Sequence, residues 1–229
     1  MTTNLTETPL TVVAFDWVPP FAQGLVRDLR VRWALKEAGL PYEVDLLAMG
    51  TQGQPAHLAR QPFGQVPVLA TGETTMFESG AILWRIAEAS GGALLPADRA
   101  GQDRALSWVF AALNTIEPPI LMLQQAGRLA VDKAAAETME GEIRKAIERR
   151  LGQLQAAMEG RQWLAGDGFT VADLLMASVL RNLRNTDIVA QFPKLDEFLG
   201  RCTARPAFTE ALEEQMVPFA ENAARYAAE

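Results

Sequence analysis

The sequence predicts an α/β first domain over residues 10–89, followed by an all-α second domain over residues 102–229. Three observations support this division. Short apolar or alternating segments of strand length occur only before residue 90. Gly91-Gly92 and Pro96 then interrupt the chain, as expected for a linker. Beyond them, apolar residues recur at spacings of three and four, the period of a helix with one buried face.

The first elements predict a βαβ unit. Leu10–Phe15 is a short apolar run, which is typical of a buried strand. Apolar residues at helical spacing predict a helix over Gly24–Ala38, ended by Gly39 and Pro41. Tyr42–Leu47 alternates well enough for a second strand. A strand, a helix and a strand in succession favour a parallel pair of strands.

A ββα unit is predicted to complete the first domain. Val66–Ala70 and Thr74–Phe77 are predicted strands, and the short Gly-containing link between them favours a hairpin. Ser79–Ala89 is predicted to be a helix. The Thr-rich segment Met1–Pro9 is expected to be frayed.

The second half contains only helical patterns. A capping box, Thr170-Val171-Ala172-Asp173, opens a nearly all-apolar helix that is expected to be central. The first predicted helix has apolar positions from Leu106 to Ile116 and ends at Pro118-Pro119, and the second is long and amphipathic, with apolar positions from Met139 to Met158. The capped helix follows and runs through Leu183. The last two predicted helices are Leu195–Cys202 and Ala207–Met216.

Composition excludes several classes of function. The formal net charge of −7 over 229 residues argues against nucleic-acid binding, which requires a basic surface. A single cysteine, Cys202, rules out a disulfide framework within the chain, and one Cys with one His cannot supply a tetrahedral zinc site. No metal is therefore expected. No secretory signal and no apolar run of about 20 residues is evident, so the expected location is the cytoplasm, without membrane contact.

Two neighbouring motifs predict a ligand site. Pro67 stands where a strand begins, and proline at that position leaves backbone groups available to a ligand. Glu78-Ser79 stands at the start of a helix, whose first N–H groups are unpaired and favour an anion. Together these motifs suit an extended peptide that carries both an amine and a carboxylate.

These motifs, in this order, resemble the cytosolic glutathione transferases, including the bacterial ones. The resemblance implies a thioredoxin-like N-terminal domain (βαβ–ββα) followed by an all-α C-terminal domain, the glutathione transferase fold. It also implies glutathione as co-substrate, a small hydrophobic electrophile and a homodimer. The matching segments are Val31–Glu43, Pro62–Leu69, Glu78–Leu83, Trp163–Asp167, Phe169–Asp173, Phe192-Pro193 and Arg205–Phe208.

The resemblance assigns roles to the motif residues. It implies a cis Val66–Pro67 peptide that turns the Val66 N–H and C=O towards the cysteinyl backbone of glutathione. Glu78 and Ser79 match the pair that holds the γ-glutamyl amine and carboxylate. Gln65 lies next to this site and is expected to contact the tripeptide.

The sequence departs from the family where the thiol is activated. The loop from Asp16 to Gly24 and the following residues to Asp28 contain no Ser, Thr, Tyr or Cys. By family position, the missing Ser or Cys falls within the stretch from Leu25 to Asp28, most often on Leu25 or Arg27. There are four candidate stabilisers of the glutathione thiolate. They are the charge of Arg27, the side-chain amide of Gln23, the indole N–H of Trp17 and the backbone at the helix start.

Two alternatives follow from the missing hydroxyl. The thiol stays protonated and turnover is slow, or the chain is a non-catalytic module that binds a ligand or a protein.

Side chains outside these motifs are predicted as follows. The resemblance places Asn114, Glu117 and Met122 at the second-substrate pocket. Phe110, on the same helical stretch, is expected in the core, and His57 is expected to be solvated.

Overall fold

A four-stranded sheet forms the base of the first compact unit in the computed structural model, which describes residue 5, residues 8–72 and residues 74–227. Its strands are β1 (Leu10–Phe15), β2 (Glu43–Leu47), β3 (Val68–Thr71) and β4 (Thr74–Met76). Their spatial order is β2–β1–β3–β4. β1 pairs with β2 in parallel and with β3 antiparallel, and β3 and β4 are antiparallel. The predicted βαβ–ββα arrangement is confirmed.

Parts of two predictions fall outside the described residues. Residues 1–4, 6 and 7 belong to the segment expected to be frayed, and Glu73 belongs to the predicted hairpin link.

Three helices accompany the sheet: α1 (Asp28–Glu37), α2 (Pro55–Leu58) and α3 (Ser79–Ala89). The bounds of α3 are those predicted, whereas α2 was not predicted. The prediction that α1 begins at Gly24 is wrong. Gly24 has a φ of +73°, which a right-handed helix does not allow, and Leu25 instead closes a turn onto the Ala22 carbonyl.

The second compact unit, residues 96–203, consists of helices. The predicted end at Pro118-Pro119 is wrong, because a π-helical segment, Ala112–Ile116, joins two helices and the prolines lie in the first turn of the second. Proline is tolerated there, since the N–H groups of a first turn need no helical partner. The helices are α4 (Arg99–Ala111), α5 (Glu117–Leu129), α6 (Lys133–Ala157), α7 (Val171–Leu180) and α8 (Pro193–Thr203).

The continuous helix Arg99–Leu129 is long and apolar enough to cross a membrane by length and composition alone. This finding differs from the expectation that no segment reaches that length. Core helices of water-soluble proteins pass the same test, so one such helix is weak evidence for a membrane protein.

Helix α7 is the buried centre of the second unit, as predicted. Nine of its ten residues are buried, and a 3-10 turn, Arg181–Leu183, continues it to the predicted end. The predicted capping box is present: the Thr170 N–H and hydroxyl both donate to Asp173 Oδ2, at 2.8 and 2.7 Å. Asp173 Oδ1 accepts the Leu164 N–H at 2.8 Å, which fixes the preceding loop to the helix start.

The last helix, α9 (Pro206–Tyr226), extends ten residues beyond its predicted end at Met216. It groups with the first compact unit, which comprises residues up to Leu95 and residues from Ala204 onward. The expected second domain, 102–229, thus differs from the compact helical unit, which ends at Thr203.

Helix α9 covers charged groups that α1 buries. Asp28 and Arg32 of α1 are each 1% exposed and pair at 2.8 Å. Gln215 of α9 donates to Asp28 Oδ1 at 2.7 Å, and Glu214 accepts from Arg32 at 2.7 Å. Burial raises the pKa of Asp28, although Arg32 and Gln215 act in the opposite direction. Each buried charge therefore has a partner, which burial of charge requires.

The same helix pair is fastened at its edges. Glu214 also accepts from Lys36 at 2.9 Å and from the Tyr42 hydroxyl at 2.9 Å. Arg205 binds Glu37 through two parallel bonds of 2.6 and 2.7 Å. Bidentate pairs of this kind are stronger and more directional than single contacts.

Asp173 predicts an unusual dependence of stability on pH. Burial raises the pKa of Asp173 to about 6 from 3.8. The folded chain therefore binds more protons than the unfolded chain between these values, and this group lowers the free energy of unfolding as pH rises from about 4 to about 6. Asp173→Asn removes the titration, so the stability advantage of the wild type over this variant should be larger at pH 4.5 than at pH 7.

Urea unfolding of both proteins at the two pH values measures the difference. At pH 7 the variant should be less stable by about 1–3 kcal/mol, because the Thr170 N–H loses its acceptor. Asp187→Asn, at an exposed carboxylate whose pKa is lowered chiefly by its bond from Arg144, is a control with the opposite pH trend. An advantage that is constant or grows with pH would contradict the assignment.

Candidate functional site

The Val66–Pro67 peptide is cis, as the resemblance implied, and it directly precedes β3. The predicted strand start at Val66 is therefore too early. Among the described residues, none forms a hydrogen bond to the main-chain N–H or C=O of Val66. This residue thus presents both groups that an extended peptide would need for strand-like pairing.

His57 supports the segment before this peptide bond. The prediction that His57 is solvated is wrong: it lies on α2 and is 2% exposed. Its Nε2 lies 2.9 Å from the carbonyl oxygen of Gln65, so the imidazole fixes the backbone one residue before Val66. Gln65 itself is exposed.

Glu78 and Ser79 stand at the start of α3, as predicted. Glu78 is exposed and has φ 68° and ψ 112°, the one described residue other than glycine with a positive φ. A side chain at such a φ costs of order 1–3 kcal/mol, and this strain is concentrated at functional sites. The next residue, Ser79, is buried and is the first residue of α3.

Arg30 adjoins Ser79 at the candidate site, and the sequence analysis did not identify it. It lies on α1, is 3% exposed, and its Nη1 donates to Ser79 Oγ at 3.3 Å. A guanidinium behind a helix N-terminus adds positive potential where a carboxylate would bind. The sequence contained one signal for the burial of Arg30: it lies in a predicted helix and its neighbours in sequence are apolar.

The loop that was expected to activate the thiol is attached to α9. Trp17 stacks on Tyr226 of α9, with ring centroids 4.8 Å apart and planes 11° from parallel. The Tyr226 hydroxyl lies 3.0 and 3.1 Å from the two carboxylate oxygens of buried Asp16. Met49 N–H is shared between Asp16 Oδ1 and the Tyr226 oxygen, and Asn222 donates to the Asp16 carbonyl.

The three predicted thiolate stabilisers occupy different positions in this loop. Gln23 donates to the Val18 carbonyl at 3.0 Å, and Trp17 has one ring face covered by Tyr226. Arg27 is the residue immediately before α1. Its neighbour Val26 packs against the apolar cluster that contains Val66, so the backbone at Arg27 is close to the cis peptide segment.

The residues predicted for the second-substrate pocket lie in the helical unit. Asn114 is on the π-helical segment and is exposed, as is Met122 on α5, whereas Glu117 is buried. The prediction that Phe110 belongs to the core is wrong, because its side chain is 56% exposed.

Within residue 5, residues 8–72 and residues 74–227, no group of three His, Cys, Asp or Glu side chains could hold a metal ion. Cys202 is buried in α8 as a small core residue.

Comparisons with known proteins extend over both compact units. Residues 22–88 match the family model "Glutathione S-transferase, N-terminal domain", and residues 110–206 match "Glutathione S-transferase, C-terminal domain". Glutathione S-transferase 3 of Zea mays is 32% identical over 200 residues, which are 80% of this chain and 87% of that protein. The chain belongs to the glutathione S-transferase family. Maleylacetoacetate isomerase of Rhizobium meliloti (strain 1021) is also 32% identical, over 82% of this chain and 92% of that protein.

Solved structures of the family share the fold. A glutathione transferase of Burkholderia graminis, solved with two glutathione molecules per subunit, has a TM-score of 0.77 at 27% identity. The match covers 92% of this chain and 93% of that one. The predicted fold, a thioredoxin-like domain followed by a helical domain, is thereby confirmed for this glutathione S-transferase family member.

The positive φ of Glu78 leads to a prediction about the stability of variants at this position. At an ordinary helical position, glycine is about 1 kcal/mol less stable than alanine. At Glu78 the order should reverse, because glycine adopts a positive φ without strain. Thermal and urea unfolding of Glu78→Gly and Glu78→Ala measures the difference, and both variants lose the same carboxylate.

The matched pair Glu88→Gly and Glu88→Ala, within the same helix α3, should show the ordinary order. If alanine is the more stable replacement at both positions, the backbone at Glu78 is not strained.

Proposed function

We propose that this chain is a glutathione transferase that directs the glutathione thiolate at a small, hydrophobic electrophile. The observation that carries the proposal is the unpaired main chain of Val66 at a cis peptide, in the same compact unit as Glu78 and Ser79. The names of the relatives from Zea mays and Burkholderia graminis support it. The thiolate sulfur forms a bond to an electrophilic carbon, and either a leaving group departs with its electron pair or a carbon–carbon double bond opens and takes up a proton. In the reductive alternative, two glutathione molecules give two electrons to the electrophile and become glutathione disulfide.

Each end of glutathione has a complementary group in this proposal. The cysteinyl backbone pairs with the N–H and C=O of Val66, while Gln65 contacts the tripeptide. The γ-glutamyl ammonium binds the exposed carboxylate of Glu78. The γ-glutamyl carboxylate binds the Ser79 hydroxyl and the N–H groups of the first turn of α3, and Arg30 reinforces their positive potential.

Thiolate stabilisation is assigned first to Arg27. A free thiol has a pKa of about 8.5, so most of it is protonated at neutral pH. A guanidinium remains charged and favours the anionic form of a neighbouring sulfur. Arg27 also precedes α1, whose N-terminus adds to the same potential. Gln23 and Trp17 are the weaker donors, because an amide and an indole N–H carry no net charge.

The electrophile is assigned to the helical unit. Asn114, Glu117 and Met122 are the proposed residues of its pocket, with polar and apolar groups close together in sequence. The cytoplasm is the proposed location, because its reducing conditions maintain the thiol form of glutathione.

The ultraviolet absorbance of the thiolate, followed against pH with glutathione and purified protein, tests binding and activation together. With the wild type, the thiol should titrate about one pH unit or more below free glutathione. Arg27→Gln should return the midpoint towards that of free glutathione while glutathione still binds. Gln23→Ala and Trp17→Phe should have smaller effects, and Trp17→Phe retains an aromatic ring for the contact with Tyr226.

Calorimetric titration of the same variants with glutathione separates the two steps. Glu78→Ala and Ser79→Ala should each weaken binding at least about tenfold, since each leaves a charged group of the ligand without its partner. Glu88→Ala, an exposed glutamate of the same helix, is the control and should bind normally. Unshifted thiol titration by a protein that does bind glutathione would favour the non-catalytic module.

A homodimer is the proposed assembly, and an uncovered apolar surface supports it. Phe110 on α4 and Leu129 on α5 are more than half exposed within the single chain. Exposed apolar groups on one long helix are typical of protein contact surfaces.

Sedimentation equilibrium should therefore give twice the 25.0 kDa of one chain. Phe110→Glu should shift the mass towards 25.0 kDa, because a charge on an apolar contact surface opposes association. A wild-type protein that sediments as a single chain would exclude the dimer.

A further inference from the structure

A cavity of about 480 Å³ lies in the helical unit, between α4 and the loop that precedes α7. Its walls include Arg104 of α4, Arg161 and Trp163 of the loop, and the segment from Ala165 to Asp167. This volume is in the range of small-molecule sites. None of these residues belongs to the proposed glutathione site. We call this space the loop cavity.

The loop cavity carries unneutralised positive charge. Arg104 and Arg161 line it, against the single carboxylate of Asp167. No carboxylate of a residue in the described part of the chain forms an ion pair with either guanidinium. By contrast Arg99, on the same helix as Arg104, pairs with Asp103 at 3.0 Å. Two unpaired arginines at one cavity are unusual in a chain with a net charge of −7.

The loop backbone adds further donors. Across the described residues, no acceptor is found for the N–H groups of Gln162, Trp163, Ala165 and Gly166. Ala165 is only 1% exposed, and buried N–H groups nearly always have a partner. Successive unpaired N–H groups in a loop form a concave anion site. Arg104 Nε donates to the Ala165 carbonyl at 3.3 Å, which holds the guanidinium beside these groups.

The loop is held in place independently of any ligand. The Leu164 N–H is bound to Asp173, at the start of buried α7. The Trp163 ring packs edge-on against Phe169, with ring centroids 5.5 Å apart. The Arg201 guanidinium lies over the same ring at 5.3 Å and donates to the Gln162 carbonyl. A preorganised set of donors loses little entropy when an anion binds.

We propose that the loop cavity binds a small, multiply charged oxyanion, such as a compound with phosphate or sulfonate groups. Guanidinium groups and backbone N–H groups both match the planar and tetrahedral oxygen arrays of such anions. The single carboxylate of Asp167 repels an anion, but the two arginines attract it more strongly, so the net potential selects negative charge. The site would be separate from catalysis and goes beyond the proposed transferase reaction.

Isothermal titration with inorganic pyrophosphate, at low ionic strength and in a buffer free of other oxyanions, tests the proposal. The wild type should bind one pyrophosphate per chain. Arg104→Gln and Arg161→Gln should each weaken binding at least about tenfold, because each removes one bidentate contact. Arg99→Gln, on the same helix but outside the cavity, should bind as the wild type does. All three arginines are exposed, so folding is expected to be unaffected.

Ser79→Ala distinguishes the loop cavity from the proposed glutathione site, which also attracts anions. Pyrophosphate binding that survives Ser79→Ala and is weakened in Arg104→Gln supports the loop cavity, whether or not glutathione binds. Three results would overturn the proposal: no binding at millimolar pyrophosphate, equal binding by Arg104→Gln and the wild type, or loss of binding in Ser79→Ala.

Discussion

The burial of charge on α1 is the constraint on which the first unit depends. Eight of the ten residues of this helix are buried, and they include Asp28, Arg30 and Arg32. Charges removed from water need partners. Helix α9 supplies Glu214 and Gln215 to the Asp28–Arg32 pair, so its apolar and polar contacts act together.

The same constraint organises the proposed site. Arg30 points its charge at Ser79, while α9, held by the paired charges, brings Tyr226 and Asn222 to Asp16. Helix α1 therefore supports the proposed anion site at the start of α3, and α9 fixes the beginning of the loop that leads to Arg27. Since neither helix is bound to its neighbours by apolar contacts alone, their register is specified by hydrogen bonds as well as by packing.

The sequence predicted what depends on local signals. Strand β1, helix α3 and the capping box of Thr170 and Asp173 appear as predicted, because period, breakers and caps are encoded within a few residues. It failed where distant contacts decide: Arg30 acquires its role only when α1 packs near Ser79. The burial of His57 was missed for the same reason, since its polar sequence surroundings gave no sign that the imidazole ring would be buried against the Gln65 carbonyl. The start of α1 was misplaced because the positive φ of Gly24 is set by the loop as a whole.

Helix α9 has a consequence for synthesis on the ribosome. The first unit is discontinuous: its sheet comes from residues before 95, but its final helix follows the whole helical unit in sequence. A nascent chain that has emerged only as far as Thr203 still lacks Glu214, which pairs with Arg32, and Gln215, which donates a hydrogen bond to Asp28. The second unit, which is continuous, can therefore consolidate first, and the earlier-made sheet reaches its final stability only after α9 has emerged.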